Sequence, residues 1–248
     1  MYKMPLSQDP TIAELESSSL PDIRRPDSTL VLASAWQVGS AERQRLAVDL
    51  AVAAWRRIPW PAGLLSISWF ISLDGEAVVT YSQWAGVEFA DAFARGDGPT
   101  VFRDLLSEIP GLTLAPPTRY RLYRSGTRED APVPGCVVFV SVEFDGPDAA
   151  RQRSWVELVF EALAGTPPPP GGISGHFHVS LDGTQVLNYA EWVDSDAHSK
   201  ALEESGGTAI GDGVKWRAVQ TYPGIIRSGF KRCTLARSLE RPEGQVDV

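Results

Sequence analysis

His176, His178 and His198 are the only three histidines in this 248-residue chain, and all lie in its C-terminal half. Histidine is the side chain whose charge ordinarily changes near neutral pH, so each is a candidate general base, His176 and His198 foremost. His176 and His178 stand two apart and would share one face of a strand. With His198 they could reach one metal ion, yet no neighbouring carboxylate or cysteine has ligand spacing, so no metal site is expected. Asn188 and Trp192 stand four residues apart nearby. A buried amide needs partners and can donate to a developing negative charge, while an indole offers an apolar wall with one N–H.

The same stretch of sequence occurs earlier without these groups. Ala41–Trp84 aligns with Ala149–Trp192 at a constant offset of 108, with 18 of 44 positions identical, including Arg43-Gln44-Arg45 on Arg151-Gln152-Arg153. Arg124-Ser125 recurs as Arg237-Ser238, offset by 113. A solenoid repeat is shorter, so this is a duplicated small domain. Ser68, Phe70, Thr80 and Ala90 replace His176, His178, Asn188 and His198, whereas Trp84 matches Trp192. Trp55, Trp60 and Trp69 stand where the second copy has Leu163, Pro168 and Phe177. A filled, apolar first copy beside a polar second copy places the expected chemistry in residues 136–238.

Composition sets the frame. The chain is 43% hydrophobic and 22% charged, with a formal net charge of −8, which argues against nucleic acid or an anionic membrane as partner. No apolar run has membrane-spanning length, and no signal-peptide pattern opens the chain. Cys136 and Cys233 are too few for a disulfide framework and read as reduced thiols of a cytoplasmic protein.

Elements follow from pattern. Residues 1–27 read as a flexible or draped arm, 28–126 as the first domain, 127–134 as a linker and 135–240 as the second domain. In the first domain a strand Leu30–Val38 precedes a helix capped by Ser40, with Leu46, Leu50, Ala53 and Ala54 on one face. Asp74-Gly75, and Asp182-Gly183 in the second copy, predict hairpins with type I′ turns. A helix through Phe89–Phe93 and a strand Arg119–Arg124 complete a β-α-β-β-α-β order, which the second copy repeats, with a final strand near Phe230–Arg237. The four prolines Pro167–Pro170 form a stiff helix-to-strand connection. The fold class is therefore α+β: two tandem ferredoxin-like domains whose uncovered sheet faces meet in an intramolecular pseudo-dimeric α+β barrel. The hairpin register pairs Phe177 with Asn188, His178 with Leu187 and His176 with Tyr189. The histidines of that strand would then face away from Asn188, Ala190 and Trp192.

Asn188-Tyr189-Ala190-Glu191-Trp192, followed by a histidine-bearing helix, resembles the strand-end motif of the antibiotic biosynthesis monooxygenase family; Thr80-Tyr81-Ser82-Gln83-Trp84 looks like a degraded copy. The resemblance implies dimeric α+β barrels, here fused into a monomer, with further dimerisation of the fused pair as the alternative. It also implies cofactor-free oxidation of anthrones to quinones in aromatic polyketide pathways, using a small aromatic substrate and molecular oxygen and no cofactor. The family's oxygenases use an Asn and a Trp at this spacing; His198 stands where they use a tyrosine. The catalytic residues so implied are Asn188, Trp192, His198 and His176, with His178, Phe177, Tyr189, Trp84 and Trp69 around the substrate. A cyclase or isomerase with a histidine base is the alternative enzyme, and a non-catalytic binding protein the alternative to catalysis. Haem degradation would require a histidine where Leu202 stands.

Overall fold

The computed structural model describes residues 16–130, 132–207 and 209–241. Its elements run β1 (Glu16–Ser17), β2 (Leu30–Gln37), α1 (Ala41–Trp55), β3 (Leu64–Ser72), β4 (Ala77–Trp84), α2 (Val87–Arg95), α3 (Gly98–Glu108), β5 (Thr113–Leu114) and β6 (Thr118–Thr127). They continue with β7 (Cys136–Phe144), α4 (Ala149–Ala164), β8 (Gly172–Ser180), β9 (Gln185–Trp192), α5 (Ser195–Glu204), α6 (Val214–Gln220) and β10 (Ile225–Glu240). Helix starts follow the expected capping chemistry: Ser40 accepts from the Arg43 amide, Asp148 from Ala150 and Arg151, and Asp194 from Ala197. No helix among the described residues is long and apolar enough to cross a membrane.

The strand order is β3-β4-β2-β6 in the first half and β8-β9-β7-β10 in the second, with every pairing antiparallel. The two sheets join at both edges. β6 leaves β2 to pair with β8, and β10 leaves β7 to pair with β3, closing a barrel of eight strands. This double pairing is why β6 and β10 outrun the strands predicted at Arg119–Arg124 and Phe230–Arg237. Their added residues hydrogen-bond to the other half, a contact that local pattern does not encode.

The hairpin loops differ from the expected type I′ turns. Gly75 and Gly183 have φ of +81° and +80°, but Asp74 and Asp182 do not enter the left-handed region. Each aspartate instead accepts from Ser72 or Ser180 and from the amide two residues on, and the glycine amide bonds back to that serine's carbonyl. A side chain at Gly183 would also strike the Asp148 backbone, its built Cβ lying 2.9 Å from that nitrogen. The repeated glutamine is likewise architectural. Gln44 Nε2 donates to the Ser72 and Ala77 carbonyls, and Gln152 Nε2 to the Gln185 carbonyl and Ser180 Oγ, tying each first helix to its hairpin.

Alternation along the strands builds three layers. Phe70, Tyr81, Phe139, Leu187, Tyr189 and Cys233 point into the barrel. Trp36, Trp55, Trp69 and Trp84 pack beneath the first half's helices. Phe177, Trp155 and Trp216 form one cluster under the second half's helices, and Val138, Ala190, Trp192 and Ala201 form another. The N-terminal arm drapes over one barrel end: β1 pairs with β10, Gln83 Nε2 donates to the Asp22 carbonyl at 2.8 Å, and Ile23 is buried. Residues 1–15 of the arm lie outside the described residues. The short α6, β1 and β5 were not expected from the sequence, being too brief to show periodicity.

Candidate active site

The register is the one the hairpin predicts: Phe177 pairs with Asn188, His178 with Leu187 and His176 with Tyr189. It divides the nine expected site residues among three places. Asn188, Trp192, Phe177 and His198 occupy the helix-facing side of the second half. His176, His178 and Tyr189 lie inside the barrel. Trp69 and Trp84 belong to the first half's helix layer, where Trp84 and Trp55 sandwich Phe93 at centroid distances of 5.6 and 5.1 Å. The sheet therefore separates His176 and His178 from Asn188, and His198 from both other histidines.

Cross-strand pairing lays out the helix-facing floor. Phe230, Val140, Asn188 and Phe177 form one row; Arg232, Val138, Ala190 and Gly175 form the next. Trp192 and Cys136 pair two residues farther along. Small residues at Ala190 and Gly175 leave a shallow floor between larger walls. Val140, Gly175 and Asn188 sit on the seam between the two helix-layer clusters and stay half-buried although they are mid-strand. A Cβ placed on Gly175 would meet Phe177 at 3.3 Å and Asn188 Oδ1 at 3.4 Å. The first half has Ile67 at that position, buried.

Two polar groups flank this floor, one without a hydrogen-bond partner and the other without a counter-charge. Asn188 Oδ1 is buried and accepts no hydrogen bond, because its cross-strand neighbour is Val140. At the matching place in the first half Thr80 pairs with Ser34, and their hydroxyls are 2.8 Å apart. Leaving such an oxygen unsatisfied costs about 1–3 kcal/mol. Arg232 donates through Nε to His198 Nδ1 at 2.9 Å and lies over Phe230 at 4.9 Å, with no carboxylate in ion-pair range among the described residues. Its first-half counterpart, Arg119, is neutralised by Asp91 of α2. The residue corresponding to Asp91 is Ser199.

His198 stacks edge-on against Trp192 at 4.9 Å. Burial, reinforced by the Arg232 charge, pushes its pKa down to about 4. The ring is therefore neutral, and with Nδ1 accepting from Arg232 its proton sits on Nε2. The nitrogen left free is then a donor. His178 is fixed as well: Nε2 accepts from Tyr81 OH at 2.9 Å, Nδ1 donates to the Leu187 carbonyl at 3.3 Å, and burial lowers its pKa to about 4. His176 meets Ser125 Oγ at 2.9 Å, inside the barrel and away from Asn188. Arg232, Phe230, Gly175 and Val140 were not singled out from the sequence. The signal was present in the 113-residue offset that equates Arg119 with Arg232, but its meaning needs the pairing of Arg119 with Asp91.

Solved structures share this architecture. An anthrone oxidase-like protein superposes with a TM-score of 0.68 at 14% identity, covering 89% of this chain and 95% of its own. The fold is monooxygenase-like. A candidate monooxygenase of Fusobacterium nucleatum superposes with a TM-score of 0.55 at 9% identity, covering 86% of this chain and 95% of its own. A Listeria monocytogenes ferredoxin-fold protein related to antibiotic biosynthesis monooxygenases aligns over 84% of this chain and 94% of its own, at 11% identity and a TM-score of 0.43. No family model matches the sequence, and no curated protein matches it. These likenesses concern the fold alone.

Proposed function

We propose that the second half is a cofactor-independent monooxygenase site oxidising a polycyclic, anthrone-type aromatic of antibiotic or polyketide biosynthesis. In this reading the chain is a covalent pair of monooxygenase-type domains, 28–126 and 135–240, working in the cytoplasm on a small molecule rather than on nucleic acid or membrane. One observation carries it: the arginine that a carboxylate neutralises in the first half has no carboxylate in the second, and Asn188 Oδ1 is unpaired where the first half has the bonded Thr80 hydroxyl, on either side of a floor of small residues. Strand spacing and rise put Arg232 and Asn188 roughly 12 Å apart at Cα, a span suited to a fused-ring substrate. The name of the anthrone oxidase-like structural neighbour supports the substrate class.

Arg232, backed by His198, would stabilise the oxyanion formed when the anthrone loses a proton to solvent. Asn188 Oδ1 would accept from a phenolic hydroxyl and fix the ring system against Phe177 and Trp192. The resulting electron pair lets the ring carbon bond one atom of dioxygen. The hydroperoxide then loses its remaining C–H proton as the O–O bond breaks, giving a quinone carbonyl and one water. Purified protein incubated with a panel of anthrones and oxygen should form quinone, with matching oxygen uptake, well above the spontaneous rate. Formation at the spontaneous rate for every anthrone would overturn the reading. Turnover without oxygen to an isomeric product would replace it with a non-redox tailoring role.

A further inference from the structure

A cleft of about 660 Å³ opens at the barrel end covered by the arm, on the opposite side of the sheet from Asn188. Leu20, Ile23, Ile173 and Leu235 give it apolar walls, and His176 and Glu191 its polar floor. Ser174 Oγ donates to Glu191 Oε2 at 2.6 Å, while His176 Nε2 lies 3.9 Å from that oxygen. The Glu191 side chain keeps only 15% of its surface exposed. Burial works to raise its pKa, but the neighbouring His176, the Ser174 hydrogen bond and the Arg24 charge prevail, leaving it below the ordinary carboxylate value. Among the described residues no arginine or lysine comes within ion-pair distance of it.

The first half shows what a purely structural version of this corner looks like. Gln83 replaces Glu191; Ser66 donates to its oxygen at 2.8 Å, and its nitrogen is spent on the Asp22 carbonyl of the arm. Ser68 and Ser238 replace His176 and Ser125, their hydroxyls 2.8 Å apart. That side is neutral, satisfied and closed by the arm. The second-half side holds a charge and faces open space. Apart from the His176 ring at 3.9 Å, no basic side chain among the described residues lies within ion-pair distance of this half-buried carboxylate, which leaves it able to take a further cation from the cleft.

We infer that this barrel-end cleft is a second ligand site, taking a small amphipathic molecule whose protonated amine or amidine seats on Glu191 while its apolar part lies against Ile23, Ile173 and Leu235. The site is independent of the proposed oxygenase chemistry. The probes are phenethylamine, benzamidine and n-hexylamine at neutral pH, titrated into the ¹⁵N-labelled full chain, with 3-phenylpropionate as an anion of similar size. At least one cation should shift the Ile23, Ile173 and Leu235 amides saturably. E191Q, which installs the first half's residue, should weaken that binding at least tenfold while leaving the amide spectrum of the rest of the protein unchanged. R232M should bind the cation as the native protein does. The inference fails if no cation saturates, if E191Q binds as tightly, or if phenylpropionate shifts the same amides equally. Should E191Q unfold, the anion comparison on the native protein decides alone.

Discussion

The two halves share a strand order, helix caps, hairpin serine–aspartate turns and a buried glutamine clamp, yet they treat their polar groups in opposite ways. In the first half Thr80 is paired with Ser34, Arg119 with Asp91, and Gln83 with Ser66 and the arm, although the Trp69 indole N–H is buried without a partner. In the second, Asn188 Oδ1 and the Arg232 guanidinium face the helix layer without such partners, and Glu191 faces a cleft. Bulk follows the same division. Trp55, Ile67, Trp69 and Phe93 fill the first half where Leu163, Gly175, Phe177 and Ala201 stand in the second. The first half thus pairs these groups and packs bulkier side chains, whereas the second leaves Asn188 Oδ1 unpaired and carries smaller ones. A buried polar group left unpaired calls for an explanation, and a bound ligand is the one proposed for Asn188.

Removing each arginine in turn puts the contrast under the greatest strain. R232M should lower quinone formation, read as kcat/KM, by about 100-fold or more, on the order of the loss seen for a single oxyanion-stabilising donor. R119M should leave it within twofold and cost at most about 1 kcal/mol of stability, as befits a partly exposed ion pair. S199D, which supplies the second half with the first half's neutralising carboxylate, should reduce activity by about tenfold while the protein stays folded. Equal losses for R232M and R119M would dissolve the distinction between the halves.

Acid separates the halves next. The folded-state pKa of His178 lies near 4 against an ordinary value of 6.5, so the unfolded chain binds the extra proton first. Stability from this residue is therefore complete above pH 6.5 and declines as pH falls toward 4, by on the order of 3 kcal/mol at the acid end. His198, lowered by burial and by Arg232, adds to the same decline. H178F, which copies Phe70 of the first half, should flatten the dependence measured by chemical denaturation between pH 7 and 4. An unchanged slope would show that His178 does not titrate with unfolding.

A transplant probes the amide. N188T with V140S rebuilds the first half's hydroxyl pair and should raise stability by about 1 kcal/mol while lowering kcat/KM by roughly tenfold. A double variant with native activity would remove Asn188 from the site. The smallest expected effects concern the barrel tyrosines. Tyr81 OH is bonded to His178, whereas Tyr189 OH is buried without a partner. Y81F should destabilise by about 1 kcal/mol, whereas Y189F, which removes the unpartnered hydroxyl, should stabilise by about 1 kcal/mol in urea melts.

Much of this was legible in the order of the residues. The repeated Leu-Asp-Gly hairpins fixed their own register, and from that alone His176 and His178 had to face away from Asn188 and Trp192. The comparison of copies also pointed to Asn188, while Trp84, expected around the substrate, packs in the first half's helix layer. Other features were hidden because they depend on contacts between distant strands. The roles of Val140 and Arg232 come from β7 and β10 lying beside β9, and neither residue has a local pattern that says so. His198 has the residue type of a base, but the arginine that occupies its Nδ1 lies 34 positions away.

The duplicated β-α-β-β-α-β plan, the hairpins and helix starts, and the half that carries ionisable and amide groups are all written along the chain. They are properties of local chemistry: turn residues, caps, two-residue and helical periods, and a direct comparison of two copies. Which of those groups meet is a property of the folded barrel. Its closure through β6 and β10 assigns each strand face to the interior or to the helices, and thereby splits the three histidines. It also determines which buried charge or amide finds a partner, because pairing in a closed sheet is set by register across the whole chain rather than by neighbours along it.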